Sequence, residues 1–477
     1  MRARIFAEEN RKWWTLGAVA FGLFMIMLDN TVVFVALSAI QSDLHISTSE
    51  LEWVVNGYAL TFAVLMLTGG KLADLLGRRL IFIVGLAIFT ASSLACGLAG
   101  SATILIGARI VQGVGSALMN PATLSIITAT FPPRQRGTAI GIWVGVSAMA
   151  LAIGPLVGGV ITEQISWSWI FFINVPVGLI GIVVARLVID ESRDESEEQR
   201  LDLPGLLSSA LGLFALTYGL IEANTYGWTS GRILGSFALA AVSLVTFVLL
   251  EHRQRVPMLD LSLFRNTTFA GANTVMLLVA LAMFGMFFFN SLYLQRILHY
   301  SAIETGATFL PMTVLIVLLA PAAGKFSDRI GSRWLMGAGL VALSASLLSF
   351  STLGVDSSFW DVLPGLILGG VGMSLAMTPT TAAAMGSVPV DKAGVGSAVL
   401  NSMRQVGGSL GIAVMGAIVV ASISVSDTDP RIAGQFVDGY RNALHVSAAI
   451  AAAGALVAVA TVRKYRHPEA QPALEGA

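Results

Sequence analysis

Long apolar runs separated by short polar segments fill this chain from residue 14 to residue 462. A helix needs about 20 mostly apolar residues to cross the hydrocarbon core of a bilayer. Fourteen runs approach that length, and we therefore predict an all-α membrane protein with fourteen transmembrane helices. The predicted spans are 14–39, 53–72, 80–98, 102–123, 138–161, 168–187, 204–222, 232–250, 269–293, 304–322, 334–352, 360–382, 394–420 and 442–462.

The composition agrees with a membrane protein. Hydrophobic residues make up 55% of the 477 residues and charged residues only 12%, whereas soluble domains carry about 25% charged residues. The net charge is zero, so bulk electrostatics gives no reason to expect a nucleic-acid partner. The single cysteine, Cys96, excludes an internal disulfide, and the five histidines have no metal-binding spacing. We therefore expect neither a metal site nor a cofactor.

The segments between the runs are too short to hold a catalytic domain. The longest are 188–203, 251–268 and 421–441, and domains below about 40 residues rarely fold alone. The sequence contains no Walker A pattern, and its G-x-S-x-G match at 407–411 lies in an apolar run instead of after a strand. We therefore predict that the chain is not an enzyme and that its energy source lies outside it.

Positive charges concentrate on one side of the predicted membrane domain. With the N-terminus inside, 22 of the 28 Lys and Arg residues fall in cytoplasmic segments, 4 fall outside and 2 lie within spans. An excess of Lys and Arg marks the cytoplasmic loops of membrane proteins. We expect a multi-pass plasma-membrane protein with both termini in the cytoplasm, which requires an even number of spans.

Two copies of one loop pattern indicate duplicated halves. Residues 70–79 (GKLADLLGRR) follow the second span, and residues 324–333 (GKFSDRIGSR) follow the tenth at an offset of 254. Gly154 recurs as Gly411 at the similar offset of 257. Parallel repeats of this kind are typical of transporters, which bind substrate between the halves near the membrane midplane.

The repeat divides the chain into four parts. Two six-helix halves account for twelve of the predicted spans, and the seventh and eighth spans form an insertion between them. We assign 1–187 to the N-terminal six-helix half, 188–267 to cytoplasmic linkers and two inserted helices, 268–463 to the C-terminal six-helix half and 464–477 to a cytoplasmic tail.

Each loop copy combines glycines with charged residues. The glycines permit a tight turn between helices, and the aspartate can accept hydrogen bonds from a helix N-terminus or a nearby arginine. A plain solvated turn would explain one copy, whereas two matched copies favour a cytoplasmic gate. The predicted gate consists of Gly70, Asp74, Gly77, Arg78 and Arg79, with Gly324, Asp328, Gly331 and Arg333 as its counterpart.

Asp29 is the only carboxylate deep inside a predicted span. A charged side chain at the bilayer centre costs roughly 2.5–3.5 kcal/mol, and loss of water favours the protonated form of a carboxyl group. Arg109, within the fourth span, keeps its charge and therefore needs an anionic or polar partner. We predict that Asp29 binds and releases protons with Arg109 as its charge partner. A static ion pair between two helices is the alternative.

The fifth span is rich in glycine and contains a proline. Pro155 removes a backbone hydrogen bond and kinks the helix, and the glycines allow other helices to approach closely. A kinked helix of this kind suits a moving interface between the halves, although tight packing in any membrane bundle also explains it. The candidate residues are Gly145, Gly154, Pro155, Gly158 and Gly159.

Polar residues within other spans are candidates for the wall of a substrate cavity. Methionines and phenylalanines over 283–289 add a soft apolar surface that suits varied ligands. Bulk side chains facing lipid are the alternative explanation for each of them. The candidates for the cavity are Asn56, Tyr58, Asn290, Asn401, Arg404 and Gln405.

Together these motifs resemble the major facilitator superfamily over nearly the whole chain. The loop at 70–79, Arg109 with the glycines at 113 and 115, and the segment 154–159 match its motifs A, B and C. Motif C is typical of the proton-driven antiporters in that superfamily. The resemblance implies a major facilitator fold, with two six-helix halves and two inserted helices.

Two segments resemble one branch of the superfamily more closely. Residues 28–33 (LDNTVV) are similar to the first-span signature of the fourteen-span drug:proton antiporter group, the EmrB/QacA-like branch, and residues 201–228 are similar to its extra helix pair. There are departures, because Phe34 and Ser38 stand where the group often has Asn and Pro, and Leu75 stands where motif A often has Arg.

The resemblance implies a proton-coupled antiporter of a bacterial plasma membrane that exports lipophilic drugs or related small molecules by alternating access. Members of the superfamily known for divalent cations tend to carry further acids in these second-half helices, but no acid occurs within 269–293 or 305–322, so we expect a neutral or monocationic lipophilic substrate. Protons and membrane lipid are the other expected partners, and a monomer suffices for this mechanism. The alternatives are an exporter of one endogenous metabolite or lipid, and a membrane sensor that does not transport.

Overall fold

The computed structural model describes residues 8–193, 202–254, 257, 259–388, 393–425 and 429–463. This part of the chain forms sixteen α-helices and one 3-10 helix, Leu261–Arg265, and contains no strand. The helices are α1 (Glu8–Leu44), α2 (Thr48–Leu76), α3 (Arg78–Gly97), α4 (Ala102–Thr130), α5 (Pro133–Gln164), α6 (Trp169–Phe172), α7 (Asn174–Val188), α8 (Leu203–Tyr226), α9 (Gly231–Arg253), α10 (Thr267–Arg296), α11 (Ala302–Thr308), α12 (Leu310–Ile330), α13 (Ser332–Phe350), α14 (Phe359–Gly386), α15 (Ala393–Ala421) and α16 (Ile432–Thr461).

Thirteen segments of the described chain are long and apolar enough to cross a membrane, and they coincide with thirteen of the fourteen predicted spans. The remaining prediction, 138–161, lies within the 32-residue helix α5, where several side chains fall outside the described part. The prediction of an all-α membrane protein is confirmed.

Two of the spans consist of a short helix followed by a longer one. The span Trp169–Val188 combines α6 with α7, and the span Ala302–Ser327 combines α11 with most of α12. Pro311 lies in the first turn of α12, and its missing N–H cannot continue the hydrogen-bond ladder of α11.

The two halves repeat a close approach of helix backbones. In the first half, a Cβ atom on Gly115 of α4 would lie 2.8 Å from the carbonyl oxygen of Gly85 on α3. In the second half, a Cβ atom on Gly372 of α14 would lie 2.9 Å from the carbonyl oxygen of Gly339 on α13. The members of these pairs are 257 and 254 positions apart, the offsets of the sequence repeat. The same helix pair is therefore packed in the same way twice.

The halves meet along two interfaces. In the first seam, α1 and α5 pack against α10, α11 and α12, and in the second seam α2 packs against α15. Across the first seam, Ser291 Oγ donates to the Phe34 carbonyl at 2.6 Å and Gln295 Nε2 to the Val35 carbonyl at 2.9 Å. The inserted helices α8 and α9 pack on each other, and α8 also contacts α2 and α15. The inserted pair therefore lies beside the second seam.

Candidate transport site

A cavity of about 150 Å³ lies between the halves. Helices α1 and α5 supply one side of its wall, and α10, α12, α14 and α15 supply the other. Most of the wall is apolar, which suits a lipophilic ligand. The polar residues in the wall are Asn30, Thr31, Thr313, Arg404 and Gln405.

Aromatic rings from both halves meet at this cavity. The Phe34 ring lies 6.1 Å from that of Phe284 and 6.3 Å from that of Phe287, measured between centroids. Met283 also lines the cavity, whereas the side chains at 286, 288 and 289 are buried in helix packing. Only one face of the predicted methionine and phenylalanine surface therefore contributes to the wall.

Besides Thr313, the second half places the polar side chains of Arg404 and Gln405 in the cavity wall. No ion pair joins Arg404 to a carboxylate in the described part of the chain. The buried Gln405 Oε1 atom has no hydrogen-bond partner there either. The two side chains can therefore offer hydrogen-bond donors and an acceptor to a bound molecule.

The structure places the other four predicted cavity residues, Asn56, Tyr58, Asn290 and Asn401, outside this wall. Asn290 is fully buried and accepts a hydrogen bond of 2.9 Å from the hydroxyl of Tyr440 on α16. Asn401 donates to a carbonyl on its own helix at 3.0 Å. Asn56 is fully buried, and neither of its amide atoms has a partner among the described residues. Intrahelical and interhelical packing therefore accounts for these side chains in this state.

Asp29 and Arg109 form a buried ion pair, and each residue is only 1% exposed. Arg109 Nη1 lies 2.5 Å from Asp29 Oδ2, and Arg109 Nε donates to the Val54 carbonyl at 3.1 Å. Gln112 Nε2 donates to Asp29 Oδ1 at 3.0 Å, and Asn174 Nδ2 donates to the same atom at 3.4 Å. Arg109, Gln112 and Asn174 all donate hydrogen bonds to Asp29, so the surroundings supply the donors that an ionised carboxylate needs.

One layer of side chains separates this ion pair from the cavity. The Arg109 guanidinium lies over the ring of Tyr58, 4.2 Å from its centroid. The Tyr58 hydroxyl accepts a hydrogen bond of 3.4 Å from Asn30 Nδ2 and lies 2.9 Å from Ser116 Oγ. Asn30 in turn lines the cavity. Tyr58 therefore connects the buried pair to the wall, and Asn30, which the sequence interpretation left out, is the polar contact beside Asp29.

The glycines of α5 face three different surroundings. Gly154 and Gly158 pack against α1, where a Cβ atom on Gly158 would lie 2.9 Å from backbone atoms of Val32. Gly159 packs against the backbone of α11 in the other half, so tightly that a Cβ atom would overlap it. Pro155 lines the cavity, whereas Gly145 has open space where a Cβ would lie. The close contact between the halves therefore involves Gly159 and also the backbone of Pro155, against which Gly306 of α11 packs.

The first loop copy is attached to the start of the linker that follows its own half. Arg78 Nη2 lies 2.9 Å from Asp74 Oδ1. The Glu191 carboxylate accepts hydrogen bonds of 3.1 and 3.2 Å from the backbone N–H groups of Arg79 and the following residue. Gly77 has a φ of 119°, a conformation that only glycine adopts without strain. These contacts fix the turn between α2 and α3 against the residues that follow α7.

The second loop copy has the same backbone turn with different side-chain contacts. Gly331 has a φ of 93°. Cβ atoms on Gly70 and Gly324 would make ordinary contacts of 3.5 and 3.6 Å with α4 and α14 respectively. The Arg333 guanidinium lies 5.1 Å from the centroid of the neighbouring Trp334 ring. The side chain of Asp328 lies outside the described part.

Glu52 corrects the expectation that Asp29 is the only carboxylate buried within a membrane helix. The second span was predicted to begin at residue 53, but α2 begins at Thr48. Glu52 therefore lies inside this helix, and it is only 1% exposed. The sequence signal was an acid next to Trp53 at the edge of an apolar run, with a second polar residue, Asn56, one turn later.

Comparison with known proteins gives one family over most of the chain. A family model described as Major Facilitator Superfamily matches residues 19–412 and, in a second match, residues 275–477. The tetracenomycin C resistance and export protein of Streptomyces glaucescens is 38% identical over 415 residues, which cover 87% of this chain and 77% of that protein. The multidrug resistance protein Stp of Mycobacterium tuberculosis is 37% identical over 413 residues, covering 86% and 76%. The puromycin resistance protein pur8 of Streptomyces alboniger is 36% identical over 415 residues, covering 86% and 82%.

Solved transporter structures share the fold. A bacterial homolog of the human lysosomal transporter Spinster, in an inward-facing and unoccupied conformation, superposes with a TM-score of 0.67 at 18% identity, covering 95% of this chain and 98% of the other. The peptide transporter POT in complex with sulfate gives 0.67 at 14% identity, covering 94% of each. The fold prediction is thereby confirmed.

Proposed function

The chain belongs to the major facilitator superfamily of membrane transporters, and from this premise we propose that it exports lipophilic drugs or related small molecules by proton-coupled antiport. The observation that carries the proposal is the apolar cavity between the halves, with Arg404 and Gln405 in its wall. Relatives named for resistance to tetracenomycin C, puromycin and multiple drugs support the substrate class.

Alternating access is the mechanism that fits this arrangement. The hydrogen bonds of Ser291 and Gln295 to the backbone of α1 close the first seam beyond the cavity, toward the end of α1. The first loop copy is bound within its own half and to the linker that follows it, at Glu191 and Pro257. We assign this state to a transporter whose outer side is closed, and export requires a second state in which the first seam opens.

The positive charge of Arg404 in the cavity wall restricts the classes of substrate that we expect to bind there. A monocationic molecule would meet the guanidinium of Arg404 without a carboxylate in the wall to offset it. An anion or a carbonyl-rich neutral molecule would instead accept hydrogen bonds from Arg404, and such bonds are the stronger kind because the donor is charged. We therefore assign neutral or anionic lipophilic molecules to this cavity and retain only the neutral part of the sequence-based prediction.

Proton coupling is assigned to Asp29. A proton on its carboxyl group would cancel the charge that holds Arg109, and this guanidinium contacts Tyr58, which reaches the cavity wall through Asn30. Protonation would therefore change the shape of the wall from outside the cavity. Asp29, Arg109 and Tyr58 would thus have one arrangement with the proton bound and another without it. Such a pair of states is what couples proton binding to substrate binding.

The location of the protein and the orientation of its termini fit the same alternating-access cycle. A multi-pass protein of the cell membrane follows from the family, and we propose that both termini are cytoplasmic because 22 of 28 basic residues then lie inside. In that orientation the turns at Gly77 and Gly331 face the cytoplasm and form the gate of that side. Membrane lipid surrounds the helices, and no cofactor takes part in the proposed cycle.

The test is gradient-driven uptake of tetracenomycin C into everted membrane vesicles. We expect uptake, normalised to the amount of protein in the membrane, to require the proton gradient and to be lost in Asp29→Asn. The matched control is Asp356→Asn, because that carboxylate is exposed in the turn between α13 and α14. Uptake that persists in Asp29→Asn, or after a proton ionophore is added, would contradict the proposal.

A dedicated exporter is the second candidate. It is favoured by the relative named for the export of one compound, tetracenomycin C. A panel of unrelated lipophilic compounds separates the two, since a multidrug exporter transports many of them with similar efficiency and a dedicated one transports a single chemical series. Counterflow of labelled substrate in proteoliposomes separates both from a sensor, which binds without transport.

A further inference from the structure

Glu52 lies in the second seam, where α2, α8 and α15 meet. It is 1% exposed, and its carboxylate occupies the space beside Gly416 of α15, where a Cβ atom would overlap it. Its Oε2 atom has no hydrogen-bond partner among the described residues. The glycine therefore leaves space for this carboxyl group in the seam, but no described hydrogen-bond donor reaches its Oε2 atom.

The inserted helix α8 brings a second acid to the same place. Glu222 is half-buried and close enough for its charge to act on the Glu52 carboxylate. Tyr218 packs on Trp53 with 6.5 Å between ring centroids, and Asn224 Nδ2 donates to the carbonyl of residue 417 at 2.6 Å. Helix α8 is thus joined to both sides of the second seam.

No described cation offsets these two acids by an ion pair. Arg232 of α9 lies over the ring of Tyr226, 4.0 Å from its centroid, and 5.4 Å from that of Tyr218. Arg109 of α4 is paired with Asp29. Helix α15 has Arg404 as its only charged residue, about three turns from Gly416.

An ionised Glu52 is therefore unfavourable while the seam is closed. Burial of a charge without a counter-charge costs several kcal/mol, and a neighbouring acid adds repulsion. We propose that Glu52 is a proton-binding site of the second seam, closed when its carboxyl group carries a proton and loosened when the proton leaves. The proton forms an O–H bond on one carboxyl oxygen, and on release it passes to water at the half-exposed Glu222 side of the site.

The inference rests on the proposed function, because it assigns a step to the alternating-access cycle. A carboxylate at Glu52 needs water, and water reaches it only when α2 and α15 separate. Protonation from the outer side would then allow closure, and this would precede the release of a different proton from Asp29 toward the cytoplasm. Two acids in two places would act in sequence.

The test measures the width of the second seam as a function of pH. Spin labels are attached to cysteines at two exposed positions, Ser42 in the last turn of α1, just before the turn that leads into α2, and Ala421 at the end of α15. The background carries Cys96→Ser and has no other cysteine. We expect a short distance at acidic pH and an added longer distance at alkaline pH. Glu52→Gln, which resembles the protonated acid, should keep the short distance at every pH.

Glu222→Gln provides a second readout that does not require a change at Glu52 itself. Removing the neighbouring charge should let Glu52 lose its proton more easily, so the midpoint of opening should shift down by roughly one pH unit. Asp356→Asn is the control and should leave the midpoint unchanged. If Glu52→Gln does not insert into the membrane, the shift of the opening midpoint in Glu222→Gln tests the inference by itself.

Any one of three results would overturn the inference: a distance that does not respond to pH in the parent protein, a pH response retained in Glu52→Gln, or a midpoint that is not shifted in Glu222→Gln. Asp29→Asn, which should abolish uptake, should keep the pH response of the seam. Active uptake with no seam response therefore rejects the Glu52 site alone. A seam response without gradient-driven uptake rejects the proposed antiport and leaves the proton site supported.

Discussion

Replacing Asp29 by Asn removes the counter-charge of Arg109 but keeps the shape of the side chain. The pair is sealed at 1% exposure for each residue, so water does not replace the lost charge. Removing one partner of such a buried pair costs about 3–5 kcal/mol. In the parent protein both carboxylate oxygens of Asp29 accept hydrogen bonds, one from Arg109 and one from Gln112. The asparagine amide has one oxygen that accepts and one nitrogen that only donates, so one of these hydrogen bonds is lost.

The double variant Asp29→Asn with Arg109→Gln isolates the charge interaction. With both charges removed, no unpaired ion stays buried, so its loss of stability should fall short of the sum of the two single losses by about 2–3 kcal/mol. The assay is the free energy of unfolding in detergent, measured by titration with a denaturing surfactant for the parent, both single variants and the double variant.

Additive losses would refute the reasoning, because they would mean that the two side chains do not interact as charges. An Asp29→Asn variant as stable as the parent would refute it as well, since the carboxyl group would then be neutral in the resting state. Asp356→Asn, the exposed control, should change the free energy by no more than about 0.5 kcal/mol.

Three further outcomes follow from single contacts. Arg404→Gln should weaken uptake of a carbonyl-rich or anionic substrate about tenfold through the loss of a charged hydrogen bond, measured as the half-saturating concentration in vesicles, while a hydrocarbon-like substrate should be unaffected. Gly159→Ala should destabilise the closed first seam by about 1–3 kcal/mol, because its Cβ overlaps α11, and should slow uptake at constant protein level. Gly77→Ala should cost about 1–2 kcal/mol in unfolding free energy because of its positive φ. Gly107→Ala, with open space around it, is the control for both glycines.

The spans and the repeat were readable in the sequence because they depend on local properties. A run of apolar residues long enough to cross hydrocarbon has few alternatives to a membrane helix, so the existence of the spans was predicted even where α6 and α7 or α11 and α12 are separate helices. The ends were predicted less well, and α16 begins at Ile432, ten residues before the predicted start of the last span. The duplicated glycine loops likewise identify a turn that needs positive φ, as found at Gly77 and Gly331.

Asp29 and Arg109 stand out in the sequence because an ion within a span must find a partner, and the structure pairs them with each other. The sequence did not contain the rest of their surroundings. Gln112 and Asn174 join from α4 and α7, and their amides look like any other polar residue in an apolar run. Their role follows from helix rotation and from the contact of distant segments.

The sequence could not show which polar residues of the second half line the cavity. Arg404 and Gln405 face the cavity, while Asn401, one turn before them on the same helix, bonds to its own backbone, and Asn290 is buried against Tyr440. Glu52 entered the second seam only because Gly416, more than 360 positions away, leaves space for it. The sequence by itself determined which segments become helices and which residues carry charge. Which helix faces meet was decided by tertiary packing, since it depends on the shapes of side chains far apart in the chain.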